Sequence, residues 1–346
     1  MSFDTSRLAE IQTKAQIIWQ DSQALQMPIF SDAAQAVLEN QTVQFEELND
    51  RDKDRKIKVH WIVDCEDTVK DCTPSCTLDM PEASTDVQEY EPNFCFEDGF
   101  KVNETDLRTS IFTVEETIAR KLNGVLKRLD EKLSRTVLTS LKGFAGDNTN
   151  PSPYTYDRPN KTTIIPDAKF NASMVANLIQ QSMLNQLVNP YYINDGTLFV
   201  EWLNKQFEAG NLDGAGNAQR VQALKMYYDQ MNFAKAGVTD NLFAIDASAV
   251  ALKTVNKFND EIREMPHINQ TRYTVDSLSL PGVKYDLTYQ MNCDLTGGRE
   301  NDYHQFRVRA NGLVALNPAG CPVVTGTGET AQTFNRTGVL AFKKGA

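Results

Sequence analysis

TVEETIARKLNGVLKRLDEKLSRTVLTSLKG, residues 113–143, reads as one long helix, and the rest of the fold is arranged around it. Apolar side chains fall at Val114, Ile118, Leu122, Val125, Leu129, Leu133, Val137 and Leu141. These steps of three and four draw a single stripe at a period of 3.6. Leu126 and Leu138 widen it, while Lys121, Lys127, Arg128, Asp130, Lys132 and Arg135 lie mostly off it. Thr113 with Glu116 makes a capping box, and Gly143 suits the position just past the C-terminus. Such a helix is roughly 43 Å long at about 1.5 Å per residue, with Gly124 a weak point of about 1 kcal/mol relative to alanine. Four heptads are few for a coiled-coil arm, so the helix is expected to lie capped across a sheet.

Upstream, Asp4 or Ser6 to Leu25 reads as an amphipathic helix with Leu8, Ile11, Ala15, Ile18 and Trp19 on one side, ended by Pro28. A shorter helix is expected over Asp32–Asn40. This opening shows no evident partner of its own, and it is expected to lie on another part of the molecule or on a neighbouring copy. With few core-like residues in it, deletion of Met1–Met27 is expected to leave a folded subunit but to impair shell formation. Lys56–Asp64 alternates and then turns wholly apolar, a strand pattern. Cys65–Phe100 holds four cysteines, three prolines and many acids, and reads as a long irregular acidic excursion in the form of a two-stranded flap. A segment of that length without a helix of its own is usually functional or interacting.

Downstream, 143–166 reads as a Gly-, Asn- and Pro-rich loop and Phe170–Val188 as a helix. Asn189–Gly196 reads as a strand entering a turn, Leu198–Ala209 as a helix and Asn211–Asn217 as a flexible loop. Leu242–Ile245 looks like a buried strand, followed at once by a helix through Val250, Val255 and Phe258. That order gives an α/β lobe between about Asn171 and Asn269. The last third is β-rich: Tyr285–Met291, His304–Arg309, Leu313–Leu316 and Gly338–Phe342 are strands, with Gly297-Gly298, Asn311-Gly312 and Asn317-Pro318 breaking them into a meander.

Composition excludes several classes. The chain has 346 residues, 23% charged and 41% hydrophobic, room for a large core and a second lobe. No apolar run approaches the roughly 18 residues that span a bilayer, and the start lacks a secretory pattern, so folding in a cytoplasm is expected. A net charge of −11 argues against a protein that grips nucleic acid. His60, His267 and His304 are scattered without metal-ligand spacing. There is no G-x-S-x-G elbow and no phosphate loop, and Gly214-Ala-Gly216 and Gly326-Thr-Gly328 read as flexible loops. Asp50, Asp52 and Asp54 lack the central Gly and distal Glu of a calcium loop. No catalytic, cofactor or metal residue is therefore assigned, and no enzyme activity is expected. Cys65, Cys72, Cys76 and Cys95 are the one constellation with weight, with Cys293 and Cys321 far downstream. Reduced structural thiols, a zinc site and late-formed disulfides are all compatible with these spacings.

Leu8-Ala-Glu-Ile-Gln-Thr-Lys14, Tyr285-Asp-Leu-Thr-Tyr289 with Cys293, Leu316-Asn-Pro318 with Cys321, and Thr337-Gly-Val-Leu-Ala-Phe342 carry a family likeness. With the order of elements, they resemble the major capsid proteins of tailed bacteriophages, the Hong Kong ninety-seven type of coat protein, and especially those of phages infecting Bacteroidetes. The resemblance implies an α+β fold: an N-terminal arm (1–55), an extended loop (56–105), a peripheral domain with the spine helix (106–169), a central axial α/β domain (170–280) and a β-rich return to the peripheral domain (281–346). It implies a virion protein, made in the bacterial host cytoplasm, that self-assembles through hexameric and pentameric capsomers into an icosahedral shell. The expected partners are itself and portal, scaffolding or decoration proteins. The shell encloses double-stranded DNA without sequence-specific binding and involves no membrane. The alternative is another virion structural protein, such as a tail-tube subunit or adhesin.

Overall fold

Among the described residues, helices α1 (Thr5–Gln23) and α2 (Ala33–Asn40) precede the long helix α3 (Val114–Phe144). They belong to a computed structural model, which describes residues 5–23, 32–47, 56–62, 85–103, 112–171, 174–198, 225–257, 263–265, 269–294, 301–318, 322–325 and 332–345. Helix α3 starts where its sequence directs: Thr113 Oγ1 accepts the Glu116 N–H at 3.2 Å. The Glu116 carboxylate turns instead to Arg120, one turn on, at 2.9 Å. Gly143 lies inside the last turn, not beyond it, and Ala145 takes the cap position. The apolar stripe is buried from Ile118 to Leu141, and Asp130, which the pattern places off the stripe, is buried with it.

The opening segment lies on another part of the molecule, one of its two expected places, and the expectation that it holds few core residues is corrected. Leu8, Ile11 and Ala15 are at most 1% exposed and belong to the same core as the α3 stripe. The Asn123 amide of α3 donates to the Ala15 carbonyl at 3.3 Å. Helix α2 is rich in alanine because it presses close: Ala33, Ala34, Ala36 and Val37 are wholly buried in that core.

Three strands, β1 (Gln44–Glu47), β2 (Ile57–Ile62) and β3 (Thr85–Tyr90), make a small antiparallel sheet. The register Ile62↔Thr85 pairs the strands on either side of 63–84, and the flap expected from Cys65 lies outside the described residues as far as 84. The next strand, β4 (Phe94–Asn103), corrects the reading of an irregular excursion as far as Phe100, because it enters the largest sheet.

After α3 come β5 (Thr155–Asp157) and β6 (Thr162–Ile165), which occupy part of the expected loop, and then α4 (Val175–Leu184), β7 (Pro190–Asn194), β8 (Met226–Tyr228), α5 (Gln230–Ala236) and β9 (Leu242–Asp246). Next is β10 (Val250–Thr254), a strand where a helix was expected, followed by β11 (Arg263–Met265), β12 (Gln270–Asp276), β13 (Lys284–Asp294), β14 (Asn301–Leu316), β15 (Pro322–Thr325), β16 (Gln332–Asn335) and β17 (Val339–Lys344).

The largest sheet runs β10-β14-β13-β12-β11, with β4 also paired to β14. Asn311-Gly312 does not break β14. β4 pairs with it from Tyr303 to Gly312, and β10 pairs with it from Gly312 to Leu316. Both strands thus reach β14 at Gly312. A Cβ there would sit 2.3 Å from the Lys253 carbonyl oxygen and 2.5 Å from the Phe94 ring, so glycine is what lets the three strands meet.

A second six-stranded sheet runs β5-β6-β17-β9-β7-β8, antiparallel except for β17 beside β6 and β7 beside β8. The terminal strand is central in this sheet. One face (Tyr191, Ile193, Phe243, Ile245, Val339, Ala341) joins the α3 core. The other (Tyr192, Leu242, Ala244, Leu340, Phe342) packs with Leu178 of α4 in a second core. Consequently the α/β lobe expected near 171–269 is shared between the two sheets, because β9 enters one and β10 to β11 enter the other. The fold is α+β.

Candidate functional surfaces

Most residues singled out in the sequence lie outside the described residues: Cys65, Cys72, Cys76, Cys321, His267, the aspartates at 50–54, and the glycine loops at 214–216 and 326–328. The helix expected over Leu198–Ala209 also lies outside them beyond Leu198, and so does Gly297-Gly298. Cys95 and Cys293 are exposed, on β4 and β13. His60 is partly exposed, 3.8 Å from Glu46. His304 is buried, its Nδ1 2.9 Å from the Tyr289 hydroxyl. Among the described residues no group of three or more His, Cys, Asp or Glu side chains is arranged to hold a metal ion, and no helix is long and apolar enough to cross a membrane.

What sequence reasoning missed is a buried polar knot on the core side of α3. The Asp130 carboxylate accepts from Tyr285 Oη at 2.5 Å, from Ser277 Oγ and Ser279 Oγ at 2.8 Å each, and from the Ser279 N–H at 3.3 Å. A buried carboxylate needs such donors. Burial pushes it above the ordinary carboxyl range, and the hydroxyls pull it back. On the same side, Asp229 caps α5 by accepting the Asn232 N–H, and its other oxygen accepts the Ala33 N–H of α2 at 2.8 Å. Ser134 Oγ of α3 accepts from the Ala34 N–H at 3.3 Å. The orphan donors at the start of α2 are therefore met by residues far away in the chain. The sequence signal was slight: an aspartate one place after a stripe leucine.

Three surfaces remain open. The outward face of the largest sheet is polar by register. Lys101, Gln305, Gln290 and Gln270 stand side by side on β4, β14, β13 and β12. The next row holds Arg307, Thr288, Arg272 and Arg263. The amides are linked, with Gln270 donating to Gln290 and Gln290 to Asn292 at 3.0 Å each, and Arg309 pairs with Glu97 at 2.8 Å. At the end of α3, a cleft of about 750 Å³ is lined by Lys142, Asp157, Asp240 and Lys343 among others. There the Lys142 ammonium meets the buried Asp240 carboxylate at 2.8 Å and Thr162 Oγ1 at 2.9 Å. The third surface is apolar: along α4 and the turn after it, Met183 is 70% and Val188 88% exposed, joined by Ile179 and Leu184. No charged residue occurs from Val175 to Asn194.

No protein-family model matches the sequence, and no curated protein matches it either. Solved structures do. The capsid of cyanophage P-SCSP1u is similar at 10% identity over 93% of this chain and 90% of that one, with a TM-score of 0.46. The capsid of cyanophage A-1(L) is similar at 12% identity over 91% of this chain and 94% of that one, with a TM-score of 0.44. A chain from mycobacterium phage Che8 follows at 10% identity over 91% and 89%, with a TM-score of 0.41.

Proposed function

We propose that this chain is the major capsid protein of a tailed bacteriophage, of the Hong Kong ninety-seven type and akin to those of phages infecting Bacteroidetes. Its subunits self-assemble through hexameric and pentameric capsomers into an icosahedral shell around double-stranded DNA, a structural and not a catalytic role. The observation that carries the reading is the use made of α3. One continuous 31-residue helix supports the sheet to which the chain returns directly after the acid-rich hairpin of β2 and β3, and again in the last third through β12 to β14. That order of parts agrees with the likeness carried by Leu8–Lys14, Tyr285–Tyr289 and Thr337–Phe342. On this reading 1–55 is the arm, 56–105 the extended loop, 106–169 with 281–346 the peripheral domain, and 170–280 the axial domain. The partners are other copies, and portal, scaffolding or decoration proteins. The subunit is made in the host cytoplasm and ends in the virion. A wall of net charge −11 does not grip the DNA it encloses.

Negative-stain imaging of the purified full-length chain tests this. Closed shells or hexameric and pentameric capsomers are expected. Stacked rings or tubes would assign it to a tail, and a strictly monomeric chain under all assembly conditions would overturn the reading.

A further inference from the structure

Between α2, α3 and α5 three aspartates crowd around too few donors. The Asn232 amide Nδ2 is shared, 3.1 Å from Asp229 Oδ2 and 3.4 Å from Asp32 Oδ1. The Ser279 hydroxyl, with one proton to give, also serves two carboxyls, Asp130 at 2.8 Å and Asp32. Asp130 has four donors, and Asp229 has the Ala33 and Asn232 amides besides. Asp32 has only the long contact to Asn232 and its share of the Ser279 hydroxyl. It is the carboxyl with most to gain from a proton of its own.

The charged and titratable groups facing Asp32 come from every neighbouring element: Asp130 and Glu131 from α3, Asp229 from the start of α5, and Tyr285 of β13 beyond Asp130. Glu131 is itself paired with Lys235 of α5 at 2.9 Å. An ionised Asp32 therefore adds a charge to a group of carboxylates in a partly desiccated cleft, at the residue that begins α2. We propose that Asp32 is a proton-operated latch: protonated, it lets α2 dock against α3 and α5, and ionised, it loosens α2.

Burial first, then Asp229, Asp130 and Glu131, raise the Asp32 carboxyl to about 7. The released segment titrates in the ordinary carboxyl range. The sign follows from linkage: docking is fully favoured below the released-state value near 4, weakens as pH climbs from there, and levels off above about 7.

The test is hydrogen exchange of the full-length chain between pH 5.5 and 8.0, corrected for intrinsic exchange rates and read over residues 33–40. Opening of α2 in the wild type is expected to increase on the order of tenfold across this range. Asp32→Asn, which carries a permanent donor, is expected to hold α2 closed with no such rise. Glu131→Gln removes one repelling charge from a partly exposed site, so it should move the transition to lower pH without abolishing it, and it serves if Asp32→Asn does not fold. A wild-type opening that is flat with pH, a rise that persists in Asp32→Asn, or an unmoved midpoint in Glu131→Gln would each overturn the proposal.

Discussion

Tyr285 of β13 and Asp130 of α3, 155 positions apart in the chain, are joined by a hydroxyl-to-carboxylate hydrogen bond of 2.5 Å in a site from which water is excluded. It ties the spine to the largest sheet. Removing the donor in Tyr285→Phe leaves the carboxylate with Ser277 and Ser279, and hydrogen bonds to charged groups are worth about 1.5–3 kcal/mol. A loss of that size is expected in urea denaturation, without change in secondary structure.

Deleting residues 1–27 is expected to destabilise the subunit itself. Leu8 and Ile11 are fully buried on α3, and each such side chain contributes about 1.5–3 kcal/mol. A domain's net stability is only about 5–15 kcal/mol. A markedly lower Tm and new binding of a hydrophobic dye are the outcomes to look for. An unchanged Tm would return the segment to the role of a free arm.

Gly312→Ala is expected to be poorly tolerated. Its Cβ would meet the Lys253 carbonyl at 2.3 Å, a backbone atom that cannot swing away, as well as the Phe94 ring. Overpacking of this kind costs about 1–3 kcal/mol, and here it should also splay β4 or β10 from β14. Thermal unfolding, with exchange of the β4 and β10 amides, reads both effects.

Thr113→Ala removes the oxygen that accepts the Glu116 N–H at the start of α3. A lost cap costs about 1 kcal/mol. The expected result is a small fall in stability with exchange accelerated at residues 114–117 and unaltered near Leu133.

The spine helix was legible to within a residue or two, because thirty residues of one period and a capping threonine leave little choice. β10 was not. Val250 and Leu252 face the α3 core while Ala251 packs beneath Ile57, Val59 and Trp61 of β2. A strand covered on both faces reads as an unbroken apolar run, which periodicity cannot separate from a buried helix. Gly312 misled for a related reason, since glycine marks a turn and a close approach of strands with the same letter. The Asp130 knot was invisible because its donors, Ser277, Ser279 and Tyr285, come from a distant turn and strand. Asp32 was read only as the start of a short helix, and its side chain makes no cap bond.

Helix α3 packs against α1, α2 and β4, which precede it in the chain, and also against α5, β14 and the central β17, which lie far downstream. A ribosome delivers about 5–20 residues per second. The oily stripe from Ile118 to Leu141 is therefore translated on the order of ten seconds before Tyr285, Val308 and Val339 exist to cover it. α1 and α2, already made, can shield part of it during that wait. The N-terminal helices are thus placed to act as the nascent chain's own chaperone as well as part of its finished core.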